Sequence, residues 1–204
     1  EAQCADAEHS GTLAGQDLIA SLMTDQVGLR GVEAVKIEAA CSSGGAAFRE
    51  AYLAVASGQV NFALAGGVEK MLDHPGEEIT EGLVSASDAD WESAVGDSFV
   101  AINARLMQRY MYEYGVKHED FAPFPINSHH NAVNNPNAML RYELSKEQFN
   151  NARMIADPIN LLACSPVCDG AAAVILAPTE IARQFSPFQI KVRGSAVATD
   201  SLAL

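Results

Sequence analysis

Residues 32–67 constrain the fold more than any other stretch of this chain. Val35, Ile37 and Ala39 alternate with Lys36 and Glu38, which is the period-two pattern of a strand over residues 32–40. Residues 43–57 are then almost wholly small or apolar and are followed by Gly58. That run predicts a helix buried on most sides and closed by a left-handed glycine cap. A short apolar run over 61–65 ends in Gly66-Gly67, which predicts a buried strand feeding a tight turn. Strand, helix and strand in succession require a parallel crossover, so the expected class is α/β.

The flanking sequence adds further elements. Leu18, Ile19, Leu22, Met23 and Val27 fall on one face of a helix over 15–29, stopped by Gly31. Residues 71–91 are acidic and rich in Gly and Ser and read as loop. A helix is expected over 96–114, with Phe99, Ile102, Leu106 and Tyr110 on its apolar face, Arg105 and Arg109 on its basic face, and Gly115 as its stop. Residues 121–140, with three prolines and five asparagines, read as a long irregular loop. Ser145-x-x-Gln148 is a capping box and predicts a short helix over 145–152. Residues 169–177 read as another buried strand, and the alternation of Ile190, Val192 and Ser195 predicts the beginning of one more over 188–199.

With 204 residues, 49% of them hydrophobic, the chain can bury one core, with or without a subsidiary lobe. Its formal charge of -13 repels nucleic acid and anionic membrane, and neither is expected as a partner. The sequence holds no run of about 18 consecutive apolar residues, and its first ten residues are too polar for a signal. The expected location is the cytoplasm. Cys4, Cys41, Cys164 and Cys168 are too few and too scattered for a disulfide framework. The last two are spaced one residue too widely for a Cys-x-x-Cys pair, and no finger-like set of Cys and His predicts a metal.

Cys41 is the residue with the clearest chemical meaning. It falls between the predicted strand and helix, in Glu38-Ala-Ala-Cys-Ser-Ser-Gly-Gly-Ala-Ala47. Free amides and the dipole at a helix N-terminus favour a thiolate and can stabilise an oxyanion beside it. Ala39, Ala40, Gly44 and Gly45 leave room for a substrate tail. The alternative is a small hydrophobe in the core, as most buried cysteines are. The residues alone leave both readings open.

Residues 35–71 resemble the nucleophile segment of thiolases. The Cys41 string, Ala54-Val-Ala-Ser-Gly58 and Ala65-Gly-Gly-Val-Glu-Lys-Met71 occur in order at consistent spacing. Cys164-Ser-Pro-Val-Cys-Asp-Gly-Ala-Ala-Ala-Val-Ile-Leu176 resembles a further family segment, in which a serine contacts the pantetheine arm of coenzyme A. Cys168 stands where the family commonly has Ser or Asn. Ile126-Asn-Ser-His-His-Asn-Ala-Val-Asn-Asn-Pro136 and Met154-Ile-Ala-Asp-Pro158 are similar to the sterol-carrier-protein-type and archaeal thiolases. There Ser128 replaces an asparagine and Asn131 a histidine. Either the stretch has a role in the site, or it is a loop whose side chains bond the backbone.

The resemblance implies a thiolase-like α/β fold, a mixed sheet with a buried helix carrying the nucleophile, and only part of it in this chain. Residues 1–70 would belong to the N-terminal core, 71–161 to an inserted loop region, 162–185 to the return into that core and 186–204 to the start of the C-terminal domain. The family's opening strand and helix, its Gly-His-Pro histidine and its Cys-x-Gly cysteine would lie outside these residues. His74-Pro75, preceded by Asp73, reads as an ordinary loop pair. Cys41 would be the nucleophile, with Ser165 and Met71 binding coenzyme A as substrate and no permanently bound cofactor. The implied reaction is acetyl-CoA condensation or thiolysis of a 3-ketoacyl-CoA, in a homodimer, homotetramer or multisubunit complex. The alternatives are a related condensing enzyme, such as a ketoacyl synthase or hydroxymethylglutaryl-CoA synthase, and a non-catalytic CoA-binding or scaffolding subunit.

Overall fold

The computed structural model describes residues 2–7 and 17–201, so the start of the first predicted helix, at Gly15, lies outside the described residues. The chain divides into two compact units, Glu1–Gly82 with Asp169–Ser201, and Leu83–Cys168.

The first unit is built on a four-stranded sheet in the order β2-β1-β3-β6, with β1 Ala2–Ala7, β2 Glu33–Ile37, β3 Phe62–Glu69 and β6 Gly170–Leu176. Strand β1 pairs in parallel with both β2 and β3, while β6 runs antiparallel to β3. The sheet is therefore mixed, and the expected parallel crossover from β2 to β3 is present. Helix α1 spans Ile19–Gln26 and α2 spans Ser43–Ala56. Gly58, at φ 77, supplies the expected left-handed residue after α2, a conformation that costs glycine nothing.

Several expectations for this unit need correction. Nothing in Ala2-Gln-Cys-Ala-Asp-Ala marks a strand, yet β1 has neighbours on both sides. Pairing on two edges outweighs weak propensity. Gly66 and Gly67 do not turn the chain. They continue β3, opposite Asp6 and Ala7 on one side and Ala173 and Ala172 on the other. Helix α2 is not buried on most sides: only Ser43, Ala47 and Ala51 are buried, a single stripe with a spacing of four. Ala47 packs against Val35 and Ile37, and Ala51 meets Ala63 and Ala65 among Phe48, Val55, Val60 and Leu176. A methyl group contributes only about 0.8 kcal/mol on burial. The value of these alanines lies in letting helix and sheet approach closely.

On α1 the buried residues are Ala20 and Thr24, while Leu18, Leu22 and Val27 of the expected face are exposed. Strand β6 lies at the edge of the sheet, so Val174 and Ile175 are exposed rather than buried. Residues 188–199 form no strand among the described residues, because alternation without a neighbouring ladder does not make one. Residues 71–91, expected as loop, contain helix α3, Gly76–Val84. Pro75 precedes it, Glu77 and Glu78 lie in its first turn and Ile79 is buried. Acidic residues at a helix start complement its dipole, and that signal outweighs the loop-like composition.

The second unit is mostly helical. Helix α4, Phe99–Tyr114, begins where Ser98 Oγ accepts the Ala101 amide at 3.2 Å and ends at Gly115, φ 64. Of its expected apolar face, Leu106 and Tyr110 are exposed, and only Ala104 is fully buried along the helix. Residues 121–140, expected to be irregular, contain helix α5, Pro123–Ala132. A proline at the first helical position lacks only an amide that has no helical partner. Helix α6, Lys146–Asn150, has the predicted capping box: Ser145 Oγ accepts from the Gln148 amide at 3.1 Å and Gln148 Oε1 accepts from the Ser145 amide at 2.9 Å.

Strands β4 Met154–Ala156 and β5 Ile159–Asn160 pair across a cis Asp157-Pro158 bond. At the end of β5, Asn160 is fully buried. Its Nδ2 donates to the Phe149 carbonyl at 2.7 Å and to His118 Nε2 at 3.3 Å, and its Oδ1 accepts from the Ala163 amide at 3.0 Å. The His118 ring stacks on Phe149 with centroids 4.7 Å apart. His129 is buried on α5, where its Nδ1 meets the Tyr142 carbonyl at 3.0 Å. Among the described residues, no helix is long and apolar enough to cross a membrane.

Candidate active site

Strands β2 and β3 both run parallel to β1, so the segments after them leave from the same edge of the sheet. After β2 come Glu38, Ala39 and a short 3-10 turn, Ala40–Ser42, leading directly into α2. Cys41 sits in that turn and is exposed. The thiol is thus in neither of the places a structural cysteine usually occupies, a core or a disulfide. Apart from its chain neighbours and the helix's own backbone, a Cβ built on Gly44 or Gly45 would meet no atom within 4 Å, so the start of α2 is open at these positions.

The turn is held by side chains on either side of Cys41. Ala40 has φ 48, in the left-handed region, which costs a residue with a Cβ about 1–2 kcal/mol. Three donors, the Ala39 and Ala40 amides and the Ser43 hydroxyl, form the hydrogen bonds that offset that cost. The Ala40 amide donates to Glu38 Oε1 at 2.7 Å, and the Ala39 amide donates to Ser43 Oγ at 2.8 Å. The single Ser43 hydroxyl proton has two acceptors within reach, Glu38 Oε1 at 2.8 Å and the Ala40 carbonyl at 2.7 Å. Ser43 is itself buried, being the first residue of the stripe that continues through Ala47 and Ala51.

Met71 comes after β3 and is half-buried. Its amide and that of Leu72 donate to Asp169 Oδ1 at 2.8 and 3.0 Å. Asp169 immediately precedes β6, whose first residue, Gly170, pairs with Glu69. The amides of Leu72 and Met71, in that order of effect, hold the Asp169 carboxyl below the usual carboxylate range, with Lys70 adding to the shift. A carboxylate that accepts two backbone N–H bonds is favoured in its charged form. One acidic side chain therefore ties the exit of β3 to the entrance of β6.

Ser165 belongs to the second unit and is exposed. The nearby cysteines differ in state. Cys168 is exposed, whereas burial pushes the Cys164 thiol up, and its sulfur donates to the Asn160 carbonyl at 3.5 Å. His74, the one described histidine of the first unit, meets Glu78 at 3.0 Å one helical turn away. Arg105 pairs with Asp97, and Arg109 Nε donates to Glu113 at 2.8 Å, so both arginines of the basic face are engaged within their own unit.

An exposed cysteine at a strand-to-helix turn thus stands on the mixed sheet of an α/β unit. The comparisons specify the family: the thiolase N-terminal domain profile matches residues 8–180, and the chain belongs to the thiolase family. An acetyl-CoA acetyltransferase of Methanothermobacter thermautotrophicus is 42% identical over 96% of this chain and 50% of its own length. A sterol carrier protein 2 of Bos taurus is 27% identical over 85% of this chain and 34% of its own length. The chain spans about half the length of the archaeal relatives it matches. The solved Ltp2-ChsH2(DUF35) aldolase shares the fold, with a TM-score of 0.67 and 24% identity over 90% of this chain and 46% of that one. The similarity to archaeal and sterol-carrier-protein relatives agrees with the subgroup that residues 126–136 and 154–158 suggest.

Sequence reasoning singled out Cys41 and Met71, and topology places both beyond the C-terminal ends of parallel strands, the edge at which open α/β sheets bind ligands. It missed Glu38, Ser43 and Asp169. The first two lie inside the quoted Cys41 string and the third inside the Asp-Gly-Ala-Ala string. Ser43 had a readable signal, since it stands one turn before Ala47 on the face that packs.

Proposed function

We propose that the protein to which this chain belongs is a thiolase-type acyltransferase working through an acyl-Cys41 intermediate. The exposed thiol in the braced turn before α2 carries this reading. The Cys41 sulfur, as thiolate, attacks the carbonyl carbon of an acyl-CoA. The carbon–sulfur bond to coenzyme A then breaks, leaving a thioester on Cys41 and a CoA thiolate that takes up a proton. The Cys41 amide, at the start of the helix, is our candidate oxyanion donor. Condensation with acetyl-CoA completes the synthetic direction, and thiolysis of a 3-ketoacyl-CoA is its reverse.

In this reading Ser165 and Met71 contact coenzyme A, which is a substrate, and no cofactor stays bound. Residues 1–70 and 162–185 form the N-terminal core around the insertion at 71–161, and 186–204 begin the C-terminal domain. The working form is a cytoplasmic homodimer or homotetramer, or one subunit of a thiolase complex. Names of relatives that include a thiolase subunit and an aldolase complex are in keeping with such an assembly.

Incubating the intact gene product with acetyl-CoA or acetoacetyl-CoA should give a thioester on Cys41, visible by mass spectrometry and lost in Cys41→Ser. If the parent protein gives no adduct, the catalytic reading fails and a CoA-binding or scaffolding role takes its place.

A further inference from the structure

We propose that Glu38 and Ser43 are positioning residues that hold Ala40 in its left-handed conformation and thereby set the direction in which Cys41 leaves the turn. The proposal rests on the reading of Cys41 as the nucleophile, and it assigns a cause to a conformation which that reading does not explain.

The backbone between β2 and α2 must reverse within a few residues, from Ile37 at the end of the strand to Ser43 at the first helical position. Ala40 achieves this at φ 48, where a residue with a Cβ does not settle unaided. Glycine is the usual residue for such a conformation, and the chain has none here. Hydrogen bonds supply the stability instead. Glu38 Oε1 accepts from the amide of Ala40 itself, and the Ser43 hydroxyl lies within 2.7 Å of the Ala40 carbonyl, so both peptide units of the strained residue are gripped. Ser43 Oγ also takes the Ala39 amide, which joins the two side chains and two successive amides into one brace.

Packing makes the brace firm. Ser43 is buried one turn before Ala47, which packs against Val35 and Ile37 of β2. Close packing of small residues between α2 and β2 therefore fixes the height of the Ser43 hydroxyl beneath the turn. Cys41, between the strained Ala40 and the packed Ser43, has its Cα–Cβ direction set by both. A nucleophile misplaced by even an ångström loses much of its rate, so the brace should act on the acylation step with little effect on CoA binding.

Glycine at position 40 provides the decisive test, because it adopts φ 48 without a brace. In the full-length protein, Glu38→Ala and Ser43→Ala are compared, each alone and combined with Ala40→Gly, by single-turnover acylation of Cys41 with acetyl-CoA. Melting temperature and KM are measured alongside. We expect each single variant to acylate about tenfold more slowly with KM nearly unchanged. Adding Ala40→Gly should restore most of the rate, and Glu38→Gln, which keeps an accepting oxygen, should lose less than Glu38→Ala. Ser43→Ala, which keeps the packed volume, answers the question if Glu38→Ala does not fold. Single variants that acylate as fast as the parent, or a loss that Ala40→Gly leaves uncorrected, would overturn the proposal. Should the parent itself form no thioester, the thiolase reading fails separately. The brace is then read from the rate of Cys41 alkylation by iodoacetamide, which must change in the single variants and return with Ala40→Gly.

Discussion

The two units solve the problem of burial in opposite ways. In the first, α2 meets the sheet at Ala47 and Ala51, which pack on Val35 and Ile37 and on Ala63 and Ala65, and small side chains at the buried positions favour a close approach of helix and strands. In the second, the largest fully buried side chains of the described protein, Phe149 and Asn160, stand together, and the Asn160 side chain has three hydrogen-bonding partners there. The first arrangement sets distances. The second sets bonds, and a buried amide is tolerated only because each of its polar atoms is satisfied. The unit that carries Cys41 is thus the one whose geometry depends on steric closeness.

Removing the hub should produce the largest change. Asn160→Ala leaves the Ala163 amide and the Phe149 carbonyl without this partner, which should cost about 3 kcal/mol in urea unfolding. A cost below about 1 kcal/mol would erase the contrast between the units. Next comes Ala47→Leu, which forces extra volume between α2 and β2 and should destabilise by about 1–3 kcal/mol. If the first unit depends on closeness, Cys41 acylation should slow in this variant by more than the fraction unfolded explains. A smaller effect belongs to the cap of α6: Ser145→Ala should cost about 1 kcal/mol and leave Cys41 chemistry untouched.

The least change is expected from titrating Asp169. Its folded-state pKa lies below its unfolded one, so the contribution of the clamp is fully present above the ordinary aspartate range. It fades as pH falls through the lowered value. Protection of the Met71 and Leu72 amides, taken as exchange relative to the intrinsic rate at each pH, should fall over that interval, and Asp169→Ala should show the low protection at every pH. High protection in Asp169→Ala would mean that other contacts hold the exit of β3.

The same contrast explains what the sequence revealed. Val35, Ile37 and the small residues of α2 have the periodicities that packing demands, and the crossover with its cysteine can be read from them. In the second unit the buried positions include His129 and Asn160, residue types that normally signal surface or turn, beside Ala104, Ala122, Leu144 and Phe149, and the prolines and asparagines of residues 121–140 read as loop although α5 lies within them. Strand β1 escaped notice because its register with β2 and β3 is long-range information. The pieces of the Cys41 turn were in plain view, but the left-handed Ala40 was not, since nothing in an alanine announces it. Asp169 could be found only by knowing that β6 returns beside β3.

That return also has a bearing on how the protein is made. Met71 and Asp169 are 98 residues apart, and residues Leu83–Cys168 of the second unit are synthesised between them. The described residues of the second unit therefore leave the ribosome while the first still lacks β6, leaving the β3 edge of the nascent sheet unpaired. Contacts this far apart close slowly, and an open strand edge invites pairing with other chains. During synthesis, the vulnerable moment for this protein falls between the completion of β3 and the arrival of β6.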